Sequence, residues 1–340
     1  MPDRRADLCR PGQNMFDTRY HYAAARAQSF AAAGEGRSSN ARVREAYATM
    51  ANFAPRYQMF EPGWNVWAGG FGGSQTTDGS TASGSHGATS RLFGTAAGAD
   101  YWFSAHTLAG FALAGGGTNF SVAGGGTGRS DLFQARAFVR HHNGPAYLSA
   151  ALAYGWQDVT TDRTVTVAGI DRLQARFQAN TFAGRVEGGY RFATPWIGIT
   201  PYAAGQVTSF QLPAYAESVL SGANTFALSY GAKTVTASRS ELGLRTDKSW
   251  AVNDAILTLR GRAAWAHDFN SDRTAAATFQ TLPGASFVVN GAAQARDSVL
   301  TTASAEMKWR NGFSVGATFE GEFSNITRCH VGKGVVRRVW

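Results

Sequence analysis

The sequence predicts an all-β fold, a twelve-stranded antiparallel transmembrane β-barrel preceded by a short α-helix. Three observations predict it. Apolar and polar side chains alternate along segments of about ten residues, and the connections between these segments are alternately long and short. No apolar run approaches the ~20 residues that a transmembrane helix needs. Because only helices and closed barrels satisfy their backbone hydrogen bonds in lipid, a membrane protein without such a run is expected to be a barrel.

The composition agrees with many strands. Only 16% of the 340 residues are charged, and 40 are glycine, whereas roughly a quarter of the residues in typical soluble domains are charged. The formal net charge of +9 could indicate a nucleic-acid partner. The basic residues form no dense block, however, and many stand singly at alternating strand positions, so we expect no nucleic-acid binding.

The alternation is clearest near the carboxyl end of the chain. Phe319 and Phe323 lie on one face of the Phe313–Ser324 segment, and Glu320 and Glu322 lie on the other. An even strand number, with long loops on one rim and tight turns on the other, is typical of an outer-membrane barrel. We place the strands near residues 62–72, 90–101, 105–115, 130–142, 145–157, 174–192, 197–209, 235–248, 254–269, 294–310, 312–324 and 329–340.

The two faces of these strands have different expected environments. In a soluble β-sandwich the apolar face would form the core, whereas in a barrel it meets lipid and the charged face lines the lumen. Mixed Arg and Asp or Glu on the polar faces, and aromatic residues near strand ends, favour the barrel. The predicted lumen-lining residues are Arg136, Arg140, Arg185, Glu187, Arg191, Arg239, Glu241, Arg245, Asp247, Arg260, Arg262, Asp268, Arg296, Glu306, Lys308, Glu320 and Glu322.

The middle of the chain shows one conflict in this alternation. From Leu173 to Ala179 the odd positions are apolar, whereas from Phe182 onward the even positions are apolar. A strand cannot exchange its faces without an extra residue or a twist. We therefore expect either a register irregularity near Ala179–Phe182 or a first half that rises above the membrane.

No catalytic, cofactor-binding or metal site is predicted. His141 and His142 stand at a tight turn without nearby ligands at metal spacing. His267 and Asp268 point to opposite faces of one strand, so they cannot readily cooperate. Cys9 and the only other cysteine lie at opposite ends of the chain and support neither a metal site nor a disulfide framework.

The first sixty residues differ in character from the rest. Asn40–Phe53 predicts a helix, with Asn40 as a possible N-cap and Pro55 beyond its end. Met1–Tyr20 carries charges but lacks the apolar core of a secretory signal. We expect residues 1–60 to be an N-terminal remnant or linker, with a helix near 41–53, and residues 61–340 to form the barrel.

Several segments together resemble the autotransporter β-domain, the translocator of type V secretion in Gram-negative bacteria. The resemblance covers about residues 61–340 and is carried by Trp64–Gly73 (WNVWAGGFGG), Gly128–Arg140 (GRSDLFQARAFVR), Gly184–Phe192 (GRVEGGYRF), Ser240–Trp250 (ELGLRTDKSW at its core) and Phe313–Ser324 (FSVGATFEGEFS). It implies an outer-membrane barrel whose lumen is threaded by a helix that leads to a secreted N-terminal passenger. It implies no cofactor.

The resemblance also implies partners, namely outer-membrane lipid, the barrel-assembly machinery and the chain's own passenger. The last strand is similar to the family's assembly signal, and counting back from Trp340 places Val336 and Arg338 on the lipid side. The family usually has an aromatic residue where Arg338 and His330 stand.

The expected function is therefore that of an outer-membrane translocator and anchor for a passenger that is largely absent from this sequence. The alternative is a passenger-less pore or structural barrel. An outer-membrane hydrolase would need a carboxylate–His or Ser–His set near the outer rim, and the sequence identifies none.

Overall fold

The computed structural model describes residues 63–80, 84–270, 274–290 and 295–340. Twelve long strands form an antiparallel barrel, so the predicted fold class is confirmed. They are β1 (Trp64–Thr77), β2 (Ala88–Trp102), β3 (Thr107–Val122), β4 (Gly126–Asn143), β5 (Ala146–Val165), β6 (Asp171–Tyr190), β7 (Gly198–Leu212), β8 (Lys233–Val252), β9 (Ala255–Asp268), β10 (Asp297–Trp309), β11 (Phe313–Phe323) and β12 (Thr327–Val339).

The barrel is closed by its first and last strands. Each strand pairs with the next in sequence, and β1 pairs antiparallel with β12, from Asn65 opposite Val339 to Thr77 opposite Thr327. The Trp340 amide also donates to the Trp64 carbonyl oxygen over 3.3 Å. Both ends of the barrel sequence therefore lie at the rim with the short turns, as the sequence predicts.

Alternation along the strands separates a lipid-facing side from an inward-facing side. On β11, Val315 and Phe319 are exposed on the outer wall, whereas Ser314 and Glu320 are buried inside. The outward aromatic rings fall into two bands, as expected for girdles at the two membrane interfaces. One band, near the short-turn rim, contains Trp64, Trp250, Trp309 and Trp340, and the other contains Phe93, Phe133, Phe182 and Trp265.

Strands β3 and β4 are longer than the sequence predicts. The predicted strands near 105–115 and 130–142 leave a long connection between them, yet Gly115–Gly117 lies within β3, and only 123–125 connects β3 to β4. Gly124 and Gly126 adopt φ of 64° and 119°, which suits glycine at this tight turn. Gly117 lies beside the outward ring of Phe93, where an added Cβ would come within 3.1 Å of the ring. The absence of a side chain at Gly117 therefore leaves room for the Phe93 ring on the neighbouring strand, and the glycine does not interrupt β3.

The predicted register irregularity in β6 is wrong. Pairing of β6 with β5 runs without interruption from Tyr190 opposite Ala146 to Asp171 opposite Val165. Phe177 faces inward and Phe182 faces lipid, so one alternation serves the whole strand. Arg172 and Arg176 point outward on the part of β6 beyond the outer aromatic band. This agrees with the other expectation, a first half that rises above the membrane, which stays a prediction.

Long connections at the outer rim form further strands. Ser218–Ser221 pairs with the outer end of β6. At the opposite rim, Phe192–Ala193, in the short connection from β6 to β7, extends the barrel sheet beside β7. A separate sheet consists of Leu282–Asn290, Thr274–Phe279, Leu228–Tyr230 and Tyr215–Ala216, in that order. No helix in the described ranges is long and apolar enough to cross a membrane. The predicted helix near 41–53 lies outside the described residues.

Candidate functional site

The barrel lumen carries a buried ionic network on one wall. Glu187, on β6, is 1% exposed and accepts hydrogen bonds from Tyr147 Oη at 2.8 Å, Arg185 Nη2 at 3.0 Å and Arg245 Nη2 at 2.9 Å. A buried carboxylate is costly unless it is paired and hydrogen-bonded. Glu187 receives three donors from three different strands, so the network ties β5, β6 and β8 together.

A second carboxylate extends this network around the wall. Glu241, on β8, accepts from Arg185 Nη2 at 2.7 Å and from Arg262 Nη1 at 3.3 Å, and Tyr202 Oη also donates to it. Arg185 therefore bridges Glu187 and Glu241. Because alternate positions on β5 to β9 all project inward, strand pairing alone brings these side chains to one level of the lumen.

Four further sets of charges line the same cavity. Arg239 pairs with Asp268 at 3.2 Å and with Glu322, which lies three strands away. The other pairs are Arg260 with Glu306 at 2.9 Å, Arg191 with Asp247 at 2.6 Å, and Lys333 with Glu320 at 2.6 Å. Charges of both signs thus extend from β6 to β12.

The opposite wall, formed by β1 to β4, carries fewer charges, namely Asp100, Arg136 and Arg140, and has more apolar side chains. Trp67, Leu92, Leu108 and Leu132 are buried on its inner face, and Phe71 packs against Leu92 and Leu132. Small residues occupy many of the other inward positions there. The ion pairs of the lumen described above therefore lie on β6 to β12, and apolar side chains are concentrated on β1 to β4.

The structure places the predicted lumen residues as follows. Arg296 is exposed in the bend before β10, so its assignment to the lumen is wrong, because alternation fixes the facing of a residue only inside a paired strand. The others face inward: Arg136, Arg140, Arg185, Glu187, Arg191, Arg239, Glu241, Arg245, Asp247, Arg260, Arg262, Asp268, Glu306, Lys308, Glu320 and Glu322. Their part in export stays a prediction.

Sequence reasoning missed several polar residues of the lumen. Tyr147 and Tyr202 are not among the predicted lumen residues, yet both donate to the central carboxylates. Asp100 is fully buried and accepts from Asn65 Nδ2 at 2.7 Å. The inward positions before Asp100 on β2 are mostly Gly or Ala, so the sequence of that strand shows no clear polar face. Only the place of Asp100 in the alternation could have indicated that it faces the lumen.

His267 lies on the outer wall of the barrel, whereas Cys329 lies on the inner wall. His267 and Asp268 do face opposite sides, but His267 Nδ1 lies 2.8 Å from Asp297 Oδ1 on the outer wall, a pair that only cross-strand register reveals. Cys329 is buried on the inner wall, and Cys9 lies outside the described residues, so the expectation about their pairing stays a prediction. Within the ranges that the structure describes, no group of three His, Cys, Asp or Glu residues could hold a metal ion.

The separate loop sheet packs over the outer end of the lumen. Phe177, on the inner face of β6, stacks on Tyr215 with ring centroids 4.0 Å apart, and Tyr215 stacks on Tyr230 at 4.6 Å. Tyr230 and Leu228 belong to the core of the sheet. Because Phe177 points into the barrel, this stack holds the sheet on the inner side of the wall.

An ion pair latches the sheet to β5. Arg163, also on the inner face, donates through Nε to Glu217 Oε1 at 2.9 Å and through Nη2 to the Phe226 carbonyl oxygen at 2.7 Å. Glu217 in turn accepts from the Leu228 amide at 3.1 Å. Both side chains of this latch are buried, so the loop sheet is fixed to the barrel by polar as well as aromatic contacts.

Comparison with known proteins connects this architecture to a family. The model of the autotransporter β-domain matches residues 66–320. An extracellular serine protease of Serratia marcescens is 24% identical over 197 residues, which are 58% of this chain and 18% of that protein. The chain thus spans less than a fifth of the length of this curated relative.

Two solved structures share the fold. The translocator domain of the autotransporter NalP from Neisseria meningitidis has a TM-score of 0.66 at 16% identity, over 88% of this chain and 95% of that one. The β-domain of the Bordetella autotransporter BrkA has a TM-score of 0.60 at 19% identity, over 82% and 100%. Since the family model covers most of the barrel, the chain belongs to the autotransporter β-domain family and is an outer-membrane translocator domain.

Proposed function

We propose that this barrel exports an N-terminal passenger through its lumen and then anchors that passenger at the cell surface. The observation that carries the proposal is the wall of paired charges centred on Glu187 and Glu241. A chain in transit exposes backbone groups that need hydrogen-bond partners. A charged wall retains water and supplies such partners, whereas a lumen packed only with apolar side chains would not.

The lumen charges have two roles in this proposal. Their cross-strand ion pairs stiffen the barrel against collapse, and their remaining hydrogen-bonding capacity hydrates the passing chain and holds the predicted helix. The first role accounts for most of the pairing observed, since Glu187 and Glu241 already have several donors each.

Surface display tests the proposed export. A signal peptide and a small reporter are fused ahead of the full chain, and intact cells are treated with an external protease. We expect loss of the reporter and retention of the folded barrel. A matched fusion to an unrelated barrel without a helix should keep its reporter protected. A folded barrel in the outer membrane with no reporter at the surface would favour the passenger-less pore.

We also propose that Val336, Arg338 and Trp340 form the signal read by the barrel-assembly machinery. Val336 and Arg338 face outward on β12, and Trp340 follows its last residue. The Arg338 Cζ lies 4.5 Å from the centroid of the Phe313 ring and 5.6 Å from that of the Trp340 ring. A lipid-facing Arg near the interface costs only ~0–1 kcal/mol, so its main effect should be on recognition. Arg338→Tyr should raise outer-membrane levels in cells. Unchanged levels, with a clear gain in the stability of the refolded barrel, would contradict this assignment.

We infer further that residues 61–340 act as one unit without covalent chemistry and that residues 1–60 serve as a linker. Support comes from the closed β1–β12 pairing and from the ion pairs of the lumen carboxylates Glu187, Glu241 and Glu306. Limited proteolysis of the refolded chain should leave a resistant fragment that begins near Glu61. Cleavage within the barrel strands, or ester or peptide hydrolysis by the purified chain, would contradict the inference.

A further inference from the structure

We propose that four outward arginines, Arg91, Arg129, Arg176 and Arg328, form a binding surface for the phosphate groups of a phosphorylated glycolipid in the outer leaflet. These residues, called the arginine belt here, lie on β2, β4, β6 and β12. All four are exposed and occupy outward positions of the alternation. The proposal concerns the lipid partner of the barrel and does not depend on passenger export.

Strand register brings the belt together. Arg91 pairs with Asn119, Asn119 with Arg129, Arg129 with Thr160, and Thr160 with Arg176. Three arginines thus stand in one cross-strand row, one on every second strand. Because neighbouring strands are about 4.8 Å apart, successive arginines are about 10 Å apart across the strands. The row also climbs toward the outer rim because barrel strands are tilted.

The belt lies just beyond the hydrocarbon. On each of its strands the arginine is nearer the long-loop rim than the last outward ring. The arginine and the last outward ring on each strand are Arg91 and Phe93, Arg129 and Phe133, Arg176 and Phe182, and Arg328 and His330. Aromatic rings mark the interface of outer-membrane barrels. Arg91 and Arg328, two residues beyond their rings, therefore reach the level of the lipid headgroups, where the phosphates of the outer leaflet lie. Arg129 and Arg176, four and six residues beyond their rings, extend the belt outward from that level.

The protein itself leaves these cations largely uncompensated. Across the described ranges, Arg91, Arg129 and Arg328 make no hydrogen bond or ion pair, and Arg176 donates only to Gln174, at 3.1 Å. Asp131, Asp158 and Asp162 face outward nearby, and Arg172 adds a further outward cation, so the surface keeps a net positive charge. Arginine suits such a surface, because its planar fork binds phosphate through two parallel hydrogen bonds.

The belt also explains why the first half of β6 is polar on its outer face. A strand that ended at the aromatic band would need no outward Arg172, Gln174 or Arg176. The continuous register carries these side chains past the membrane boundary without exchanging faces. The extra length of β2 to β6 thus presents cations at a level where lipid phosphate, and not hydrocarbon, is the neighbour.

The test measures lipid binding by the full chain refolded in non-ionic detergent. Diphosphoryl lipid A is titrated by microscale thermophoresis against the wild type and against a variant with Arg91→Gln, Arg129→Gln, Arg176→Gln and Arg328→Gln. We expect the variant to bind about tenfold more weakly, which corresponds to ~1.4 kcal/mol, and the wild type to lose affinity as salt rises. Dephosphorylated lipid A should bind the wild type as weakly as diphosphoryl lipid A binds the variant.

Controls separate the possible outcomes. Arg310→Gln removes one positive charge at the opposite rim, where Arg310 is exposed, and should leave affinity unchanged, whereas each single arginine substitution in the belt should weaken binding. Heat-modifiable migration on gels confirms that each variant is folded. Equal affinity of variant and wild type, or equal binding of phosphorylated and dephosphorylated lipid, would overturn the proposal. So would displacement of the lipid by free inorganic phosphate at comparable concentration, since the ligand would then be an ion and not a lipid headgroup.

Discussion

The contribution of each charged residue in the lumen to stability depends on its ion-pair and hydrogen-bond partners. Glu187 is nearly inaccessible and is held by Arg185, Arg245 and Tyr147. Removing one member of such a set leaves the others buried without compensation, and this usually costs more than the intact pair contributes. Glu187 should therefore matter far more to stability than any exposed carboxylate.

We expect Glu187→Gln to lower the free energy of unfolding by about 3 kcal/mol, because Arg185 and Arg245 would lose their shared counter-charge. Urea unfolding of the barrel in lipid vesicles, followed by tryptophan fluorescence, measures this change. Asp254→Asn, at an exposed short turn, is the matched control and should change stability by about 0.5 kcal/mol or less. Equal effects of the two variants would show that the network contributes little.

Position along β6 should determine how strongly a charged side chain on its outer face destabilises the barrel. The outward residues of β6 include Val186, which is 54% exposed below the outer aromatic band, and Gln178, which lies beyond Phe182 toward the rim. Both positions face away from the lumen and differ chiefly in depth. Depth in the bilayer should therefore determine how much stability the barrel loses when either residue is replaced by a charged one.

Val186→Arg should destabilise the barrel by ~2–4 kcal/mol, as expected for a lipid-facing cation near the midplane, whereas Gln178→Arg should cost ~0–1 kcal/mol. Reversible unfolding in bilayers of defined thickness measures both values. A similar penalty at the two sites would mean that the outer half of β6 is submerged in lipid, contrary to the depth assigned to the arginine belt.

The loop sheet is a second element with a testable role. The Arg163–Glu217 latch and the Phe177–Tyr215 stack hold it across the outer end of the lumen. Glu217→Gln weakens the latch without removing aromatic contacts, so single channels in planar bilayers should open more often or conduct more. Leu220→Gln, at an exposed site on the neighbouring strand, should behave as the wild type. Identical recordings from both variants would show that the sheet does not restrict the opening.

At the scale of the whole molecule, the barrel is a closed sheet that encloses a lumen lined by both charged and apolar side chains. The predicted helix Arg42–Phe53 lies outside the described residues, and its lumenal position stays a prediction. A chain that begins at Glu61 should then conduct more ions in planar bilayers than the full chain, because the occupant of the lumen has been removed. Equal conductance would place the predicted helix outside the lumen.

The sequence by itself determined the strand number, the closed antiparallel order and the facing of most residues. These follow from a period of two and from turn residues, which are local properties of the chain. Alternation also indicated which charges line the lumen, and it failed at Arg296 because that residue lies just outside paired structure.

Tertiary structure alone decided which charges meet. Arg185 bridges Glu187 and Glu241, and Arg239 reaches Glu322 from three strands away. These partners depend on strand register and on the curvature of the closed sheet, to which all twelve strands contribute together. The loop sheet and the arginine belt likewise join segments that are distant in sequence, so no local pattern of residues could have revealed them.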